Sequence, residues 1–203
     1  MNEKKKTLVL IVLFIILIFG ASYFYQSLSQ NYKPDTLAVE DSSEETPNTP
    51  STDDNSSENE DTAVQTAPDF TVYSYENNQV HLSDFFGKPV IINFWASWCG
   101  PCQSEMPDFD SAYTKYQNDI NFLMVNMTDG SRETIEIASS FITEKGYNFP
   151  VYYDSDYSAT LTYSVTSLPT TYFINANGEL VAHAKGAIDA ATLQKGIDMI
   201  LEP

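Results

Sequence analysis

Cysteine is nearly absent: the chain of 203 residues holds two, Cys99 and Cys102, beside only two histidines, His81 and His183. That scarcity works against a metal centre, because a zinc site takes three or four ligands and neither histidine stands at a finger-like distance from the thiols. Neither a metal nor a cofactor is expected. Basic residues are also few, ten Lys and Arg against 28 Asp and Glu, for a formal net charge of -18. A chain of that sign repels a phosphate backbone, which argues against nucleic acid as a partner. Long apolar runs are missing except at the start, where residues 7–28 carry no charge. About 22 residues at 1.5 Å each match a bilayer core of roughly 30 Å, so residues 1–28 are expected to form an N-terminal transmembrane helix. A cleaved signal peptide is the rival reading, since the most apolar part, residues 8–19, is shorter. Small residues at the usual cleavage positions are lacking, with Phe19 at -3 for a cut after Ala21, and no cysteine is present at this end to carry a lipid. Lys4, Lys5 and Lys6 would hold the N-terminus inside, giving a single-pass protein of the cell membrane with the remainder extracytoplasmic.

Residues 29–67 change composition: ten Asp or Glu against one Lys, many Ser, Thr and Asn, and no aromatic after Tyr32. Such a segment buries too little apolar surface to offset the ordering of its backbone, and it reads as a disordered acidic linker. Residues 68–203 are the right length for one domain. Strand and helix patterns alternate along it. Two short strands flank Asn77-Asn78, Ser83 is a candidate helix cap, and PVIINFWA is a buried strand. After the cysteines come a helix, the buried strand INFLMVNM, an amphipathic helix ending at Gly146, a further strand and a short helix. A hairpin turned at Asn177-Gly178 and a closing helix complete the chain. The order predicts an α/β domain with a mixed central β-sheet flanked by helices.

The two cysteines sit in NFWASWCGPC, where a buried strand gives way to the next helix. A thiol at the first turn of that helix meets unpaired backbone N–H groups and the positive end of the dipole, and both favour thiolate, the attacking species. Cys102 lies one turn on, on the same face, so the sulfurs can close a small disulfide ring or resolve a mixed disulfide. Pro101 suits a position whose N–H the helix does not use, and Gly100 leaves the approach to Cys99 open. A purely structural bridge remains an alternative outside the cell, although a two-residue loop removes little unfolded-state entropy.

NFWASWCGPC, Pro107 five residues on, and Ser167-Leu168-Pro169-Thr170 before the last hairpin closely resemble the thioredoxin superfamily. The N-terminal hairpin, the central βα insertion before Leu168 and the membrane segment are similar to the extracytoplasmic TlpA/ResA-like oxidoreductases. The resemblance runs from about Asp69 to Leu201 and implies a thioredoxin-like fold. It implies that Cys99 and Cys102 form a redox-active disulfide, with Cys99 the exposed nucleophile and Cys102 the buried resolving thiol. It also implies a cis Pro169 facing them, a Leu168 backbone that pairs with the substrate chain, and a docking surface shaped by Trp98, Gly100 and Pro101. One departure stands out. Thioredoxin proper has an aspartate where this chain has Asn93, and an amide cannot exchange a proton. Glu105, three residues after Cys102, is the candidate to serve instead; its plainer role would be an acid that favours the helix dipole.

The resemblance implies dithiol-disulfide exchange with disulfide-containing protein clients. The Gly-Pro pair between the cysteines matches thioredoxin, a reductant, so reduction of exported or surface proteins is expected. Apocytochrome c and a methionine sulfoxide reductase are example clients, and electrons would come from a membrane donor of the CcdA type. A monomer is expected. A disulfide-forming oxidase, a peroxiredoxin-like peroxidase and a non-catalytic binding module are the alternatives.

Overall fold

The structure, a computed structural model, describes residues 65–202, so the expected membrane segment and residues 29–64 of the linker lie outside the described residues. Strands form where β-branched and aromatic residues cluster. The hairpin of β1 (Thr71–Tyr73) and β2 (Gln79–His81) turns through Asn77, whose φ of 64° suits the short polar side chain. There follow β3 (Val90–Trp95), α1 (Gly100–Tyr116), β4 (Asn121–Asn126), α2 (Ile135–Lys145), β5 (Val151–Tyr153) and α3 (Ser158–Thr162). The chain closes with β6 (Thr170–Ile174), β7 (Leu180–Lys185) and α4 (Ala190–Leu201).

All seven strands form one mixed sheet in the order β2-β1-β5-β4-β3-β6-β7. The strands β3, β4 and β5 run parallel, while β6 and β7 on one side and the N-terminal hairpin on the other are antiparallel additions. Every residue of β3 is buried, as a central strand covered on both faces requires. Alternation splits its side chains between two cores. Ile91 and Trp95 join Met106 and Phe109 of α1 and Ile197 of α4; Val90, Ile92 and Phe94 join Val72, Leu82 and Tyr163. Asn93, on the same face as Ile91 and Trp95, therefore points its amide toward α1.

Helix ends follow local chemistry. Thr134 caps α2 and Gly146 ends it with a φ of 72°. Ser83, the candidate cap, lies inside a short 3-10 turn, Leu82–Phe85. The N–H of His81 donates instead to Asp84 Oδ2 (2.9 Å), and Ser83 spends its N–H and hydroxyl on Asp69 (2.9 and 2.8 Å). Residues 65–67, which composition places in the linker, pair with the β6–β7 turn. Ala67 N–H donates to the Gly178 carbonyl (2.8 Å), Leu180 N–H donates to that of Gln65 (2.9 Å), and Ala67 is buried. Backbone pairing of this kind needs no apolar pattern, which is why composition does not reveal it. Among the described residues no helix is long and apolar enough to cross a membrane.

Candidate active site

Where β3 ends, residues 96–99 make a turn closed by Cys99 N–H on the Ala96 carbonyl (3.1 Å). Cys99 is then the N-cap of α1, with an extended backbone (φ -83°, ψ 105°), and Pro101 stands in the first turn. This is the helix start expected from the strand-to-helix change in NFWASWCGPC, and the N–H of Cys102 points at the Cys99 sulfur, 3.2 Å away. An N–H aimed at that sulfur favours its thiolate once the ring is opened. Cys99 and Cys102 are joined as a disulfide, with their Cα atoms 5.3 Å apart.

Cys102 is fully buried and Cys99 is 5% exposed. The expected exposed nucleophile is thus nearly covered in this oxidised state, because its sulfur is held in the ring with Cys102. What remains of Cys99 lines a groove of about 420 Å³ with Trp98, Gly100, Pro101, Met127 and the segment from Val165 to Leu168. Trp98 is 43% exposed. Leu168 is half-buried in the same lining, and the Leu168-Pro169 bond is cis. Pro169 is buried below the rim, its carbonyl accepting from Gly186 N–H (2.8 Å). The backbone of Leu168 makes no backbone hydrogen bond among the described residues, so its polar groups are free to pair with an extended chain.

Behind the disulfide, Glu105 is 2% exposed and lies past the first turn of α1. Its Oε1 accepts from Asn93 Nδ2 (2.8 Å) and its Oε2 from the Ile188 N–H (2.9 Å). Asn93 also donates to Thr171 Oγ1 (3.1 Å), while its own Oδ1 is buried with no hydrogen-bond partner. The amide that stands at the aspartate position of thioredoxin and the carboxyl named to serve in its place are therefore directly bonded.

A second buried carboxyl, Glu133, carries no signal in the sequence. It accepts from the Ser97 N–H (2.7 Å), the Ser97 hydroxyl (2.5 Å) and Asn126 Nδ2 (2.6 Å). Its neighbour Arg132 lays a guanidinium 3.9 Å from the centroid of the Trp98 ring. The loop bearing both is folded around Asp129, whose carboxyl is held below its ordinary value first by the Glu133 N–H and then by that of Ser131. A larger hollow, about 580 Å³, lies by Lys88, Asn118 and Leu201 at the other end of β3 and is lined by neither cysteine. Among the described residues no group of three His, Cys, Asp or Glu could hold a metal ion.

The profile of the AhpC/TSA family matches residues 63–183. The thiol-disulfide oxidoreductase ResA of Geobacillus kaustophilus is 33% identical over 145 residues, which cover 70% of this chain and 81% of that one. The protein of the same name from Oceanobacillus iheyensis is 35% identical over 132 residues, covering 63% and 67% respectively. Among solved structures, the exposed lipoprotein thioredoxin Etrx1 of Streptococcus pneumoniae superposes with a TM-score of 0.54 at 33% identity, covering 64% of this chain and 99% of that one.

Proposed function

This chain belongs to the AhpC/TSA family, among the ResA-like thiol-disulfide oxidoreductases with a thioredoxin-like fold, and from that premise we propose that it reduces disulfides in exported or surface proteins. One observation carries the reading: the Cys99–Cys102 disulfide opens onto the same groove as Leu168, beside the cis Leu168-Pro169 bond. In the reduced protein the Cys99 thiolate attacks one sulfur of a client disulfide, and the client's other sulfur leaves as a thiolate. Cys102 then loses its proton and attacks the Cys99 sulfur of the mixed disulfide. The second client thiol is released, two electrons have passed to the client, and the protein holds the disulfide seen here. The groove accepts an extended client segment against the Leu168 backbone, with Trp98 in the same lining.

The extracytoplasmic setting is supported by the uncharged run of residues 7–28 behind three lysines, and by likeness to a pneumococcal protein described as an exposed lipoprotein. Electrons would return from a membrane donor of the CcdA type, and apocytochrome c or a methionine sulfoxide reductase would be a fitting client. Equilibration of the full chain with glutathione tests the direction. A reductant gives a potential below about -200 mV; a value above about -150 mV, on the side of a strong oxidant, would make the protein a disulfide-forming oxidase instead.

A further inference from the structure

The loop that presents Cys99 is held from below by a group to which the exchange steps assign no task. Glu133 has no exposed surface, although it lies in a loop between β4 and α2. Its carboxyl takes both donors of Ser97, and its other contact, Asn126, is itself oriented by the Thr128 hydroxyl on Asn126 Oδ1 (2.9 Å). The carbonyl of Ser97 accepts from Gln103 Nε2 of α1 (2.5 Å), so each polar group of Ser97 is bonded. Ser97 stands two residues before Cys99, inside the turn that sets where α1 begins. Arg132 and Glu133 thus hold Trp98 and Ser97, adjacent residues on adjacent residues. A buried carboxyl and amide cost free energy unless each donor and acceptor is matched, and apolar side chains of like volume would close the end of a sheet as well. Here two of the three matches fall on the residue that carries the active-site turn.

We propose that Glu133 is a positioning residue for thiol-disulfide exchange. Through Ser97 it fixes where the Cys99 sulfur stands relative to the N–H groups that open α1, and so sets the thiolate population of Cys99 and the redox equilibrium of the pair. Stabilisation by a helix end falls away within one turn, so a small displacement of the sulfur changes it. The purpose of the device rests on the exchange reading above, but its effect on the thiol is measurable without a client.

The measurement is the rate of Cys99 alkylation by iodoacetamide in the reduced full chain as a function of pH, with the glutathione equilibrium alongside. Ser97→Ala should slow alkylation at neutral pH by about 3- to 10-fold, the size expected from one lost buried hydrogen bond, and Glu133→Ala, which removes three, by at least as much. They should move the pH profile upward and shift the equilibrium toward the disulfide by a similar factor. Glu133→Gln should stay within about twofold of the unaltered protein, because its amide oxygen accepts the two N–H donors and its nitrogen donates to the Ser97 hydroxyl oxygen. If Glu133→Ala does not fold, Ser97→Ala decides alone. A Ser97→Ala profile superimposable on that of the unaltered protein overturns the proposal, as does a Glu133→Gln variant as impaired as Glu133→Ala. Failure of the unaltered protein to exchange with any disulfide client would instead sink the exchange reading and leave the alkylation comparison standing.

Discussion

At the scale of single residues, Asn93 and Glu105 act as one buried unit. Glu105 carries hydrogen bonds on both carboxyl oxygens and lies beyond the first turn of α1, so its placement owes nothing to the helix end. Glu105→Gln isolates its chemistry because the surroundings can accommodate an amide. The Asn93 side chain can turn over and offer its unpaired Oδ1 to the new donor, while the Thr171 hydroxyl reverses to donate. If Glu105 takes the proton from Cys102 during resolution, the first attack by Cys99 should stay nearly intact. Release of the mixed disulfide should slow by about 10²- to 10⁴-fold, the usual size of general acid-base help. A mere helix-end charge, worth about 0.3 to 1 kcal/mol, would change the rate at most several-fold. Stopped-flow measurement of both steps from about pH 6 to about pH 9 separates the two, and an unchanged resolution rate leaves Cys102 to lose its proton to water. Adding Asn93→Asp should recover part of the loss from the strand side. The cysteines, Trp98 and Leu168-Pro169 were legible because they sit in short contiguous motifs. Glu133 was not, since its target Ser97 is 36 residues away and a single glutamate in a polar loop looks like solvated surface.

At the scale of elements, the packing of α4 on β6 turns on one glycine. Gly196 is buried in the middle of α4, where glycine is otherwise unfavourable by roughly 0.5 to 1 kcal/mol relative to alanine. A Cβ there would come within 2.3 Å of the Phe173 ring, and that ring is wholly buried. Gly196→Ala therefore gains a little helix propensity and loses more to overpacking, which typically costs about 1 to 3 kcal/mol. Thermal unfolding of the variant should drop by about 5 °C; an unchanged or higher midpoint would mean that β6 and α4 separate at small cost. Element order was readable from the sequence, because buried parallel strands and amphipathic helices have distinct periods. Partnerships among elements were less so. The pairing of β1 with β5 joins Tyr73 to Tyr153 across 80 positions, and residues 65–67 pair through the backbone alone. Ser83 looked like a cap because serine commonly serves as one, but Asp69 is fixed in the preceding loop and takes both of its donors.

At the scale of the whole molecule, charge and hydrophobicity are divided along the chain. The acidic segment of residues 29–67 carries about half of the net charge of -18, and the uncharged run of residues 7–28 stands before it. As the linker that its composition suggests, that segment would tether the domain to the run before it. The proposal of a membrane-held reductase needs that tether to be fixed at its far end. The two ways of fixing it respond differently to salt. Attraction through the three N-terminal lysines alone would be screened at high ionic strength, where the Debye length falls to about 3 Å. A spanning helix is held by burial of its apolar side chains and is indifferent to salt. After a wash in about 1 M salt the full-length protein should therefore remain in the membrane fraction, and only detergent should release it. Recovery of a soluble form whose N-terminus lies near residue 22 would instead establish signal cleavage and overturn the anchor.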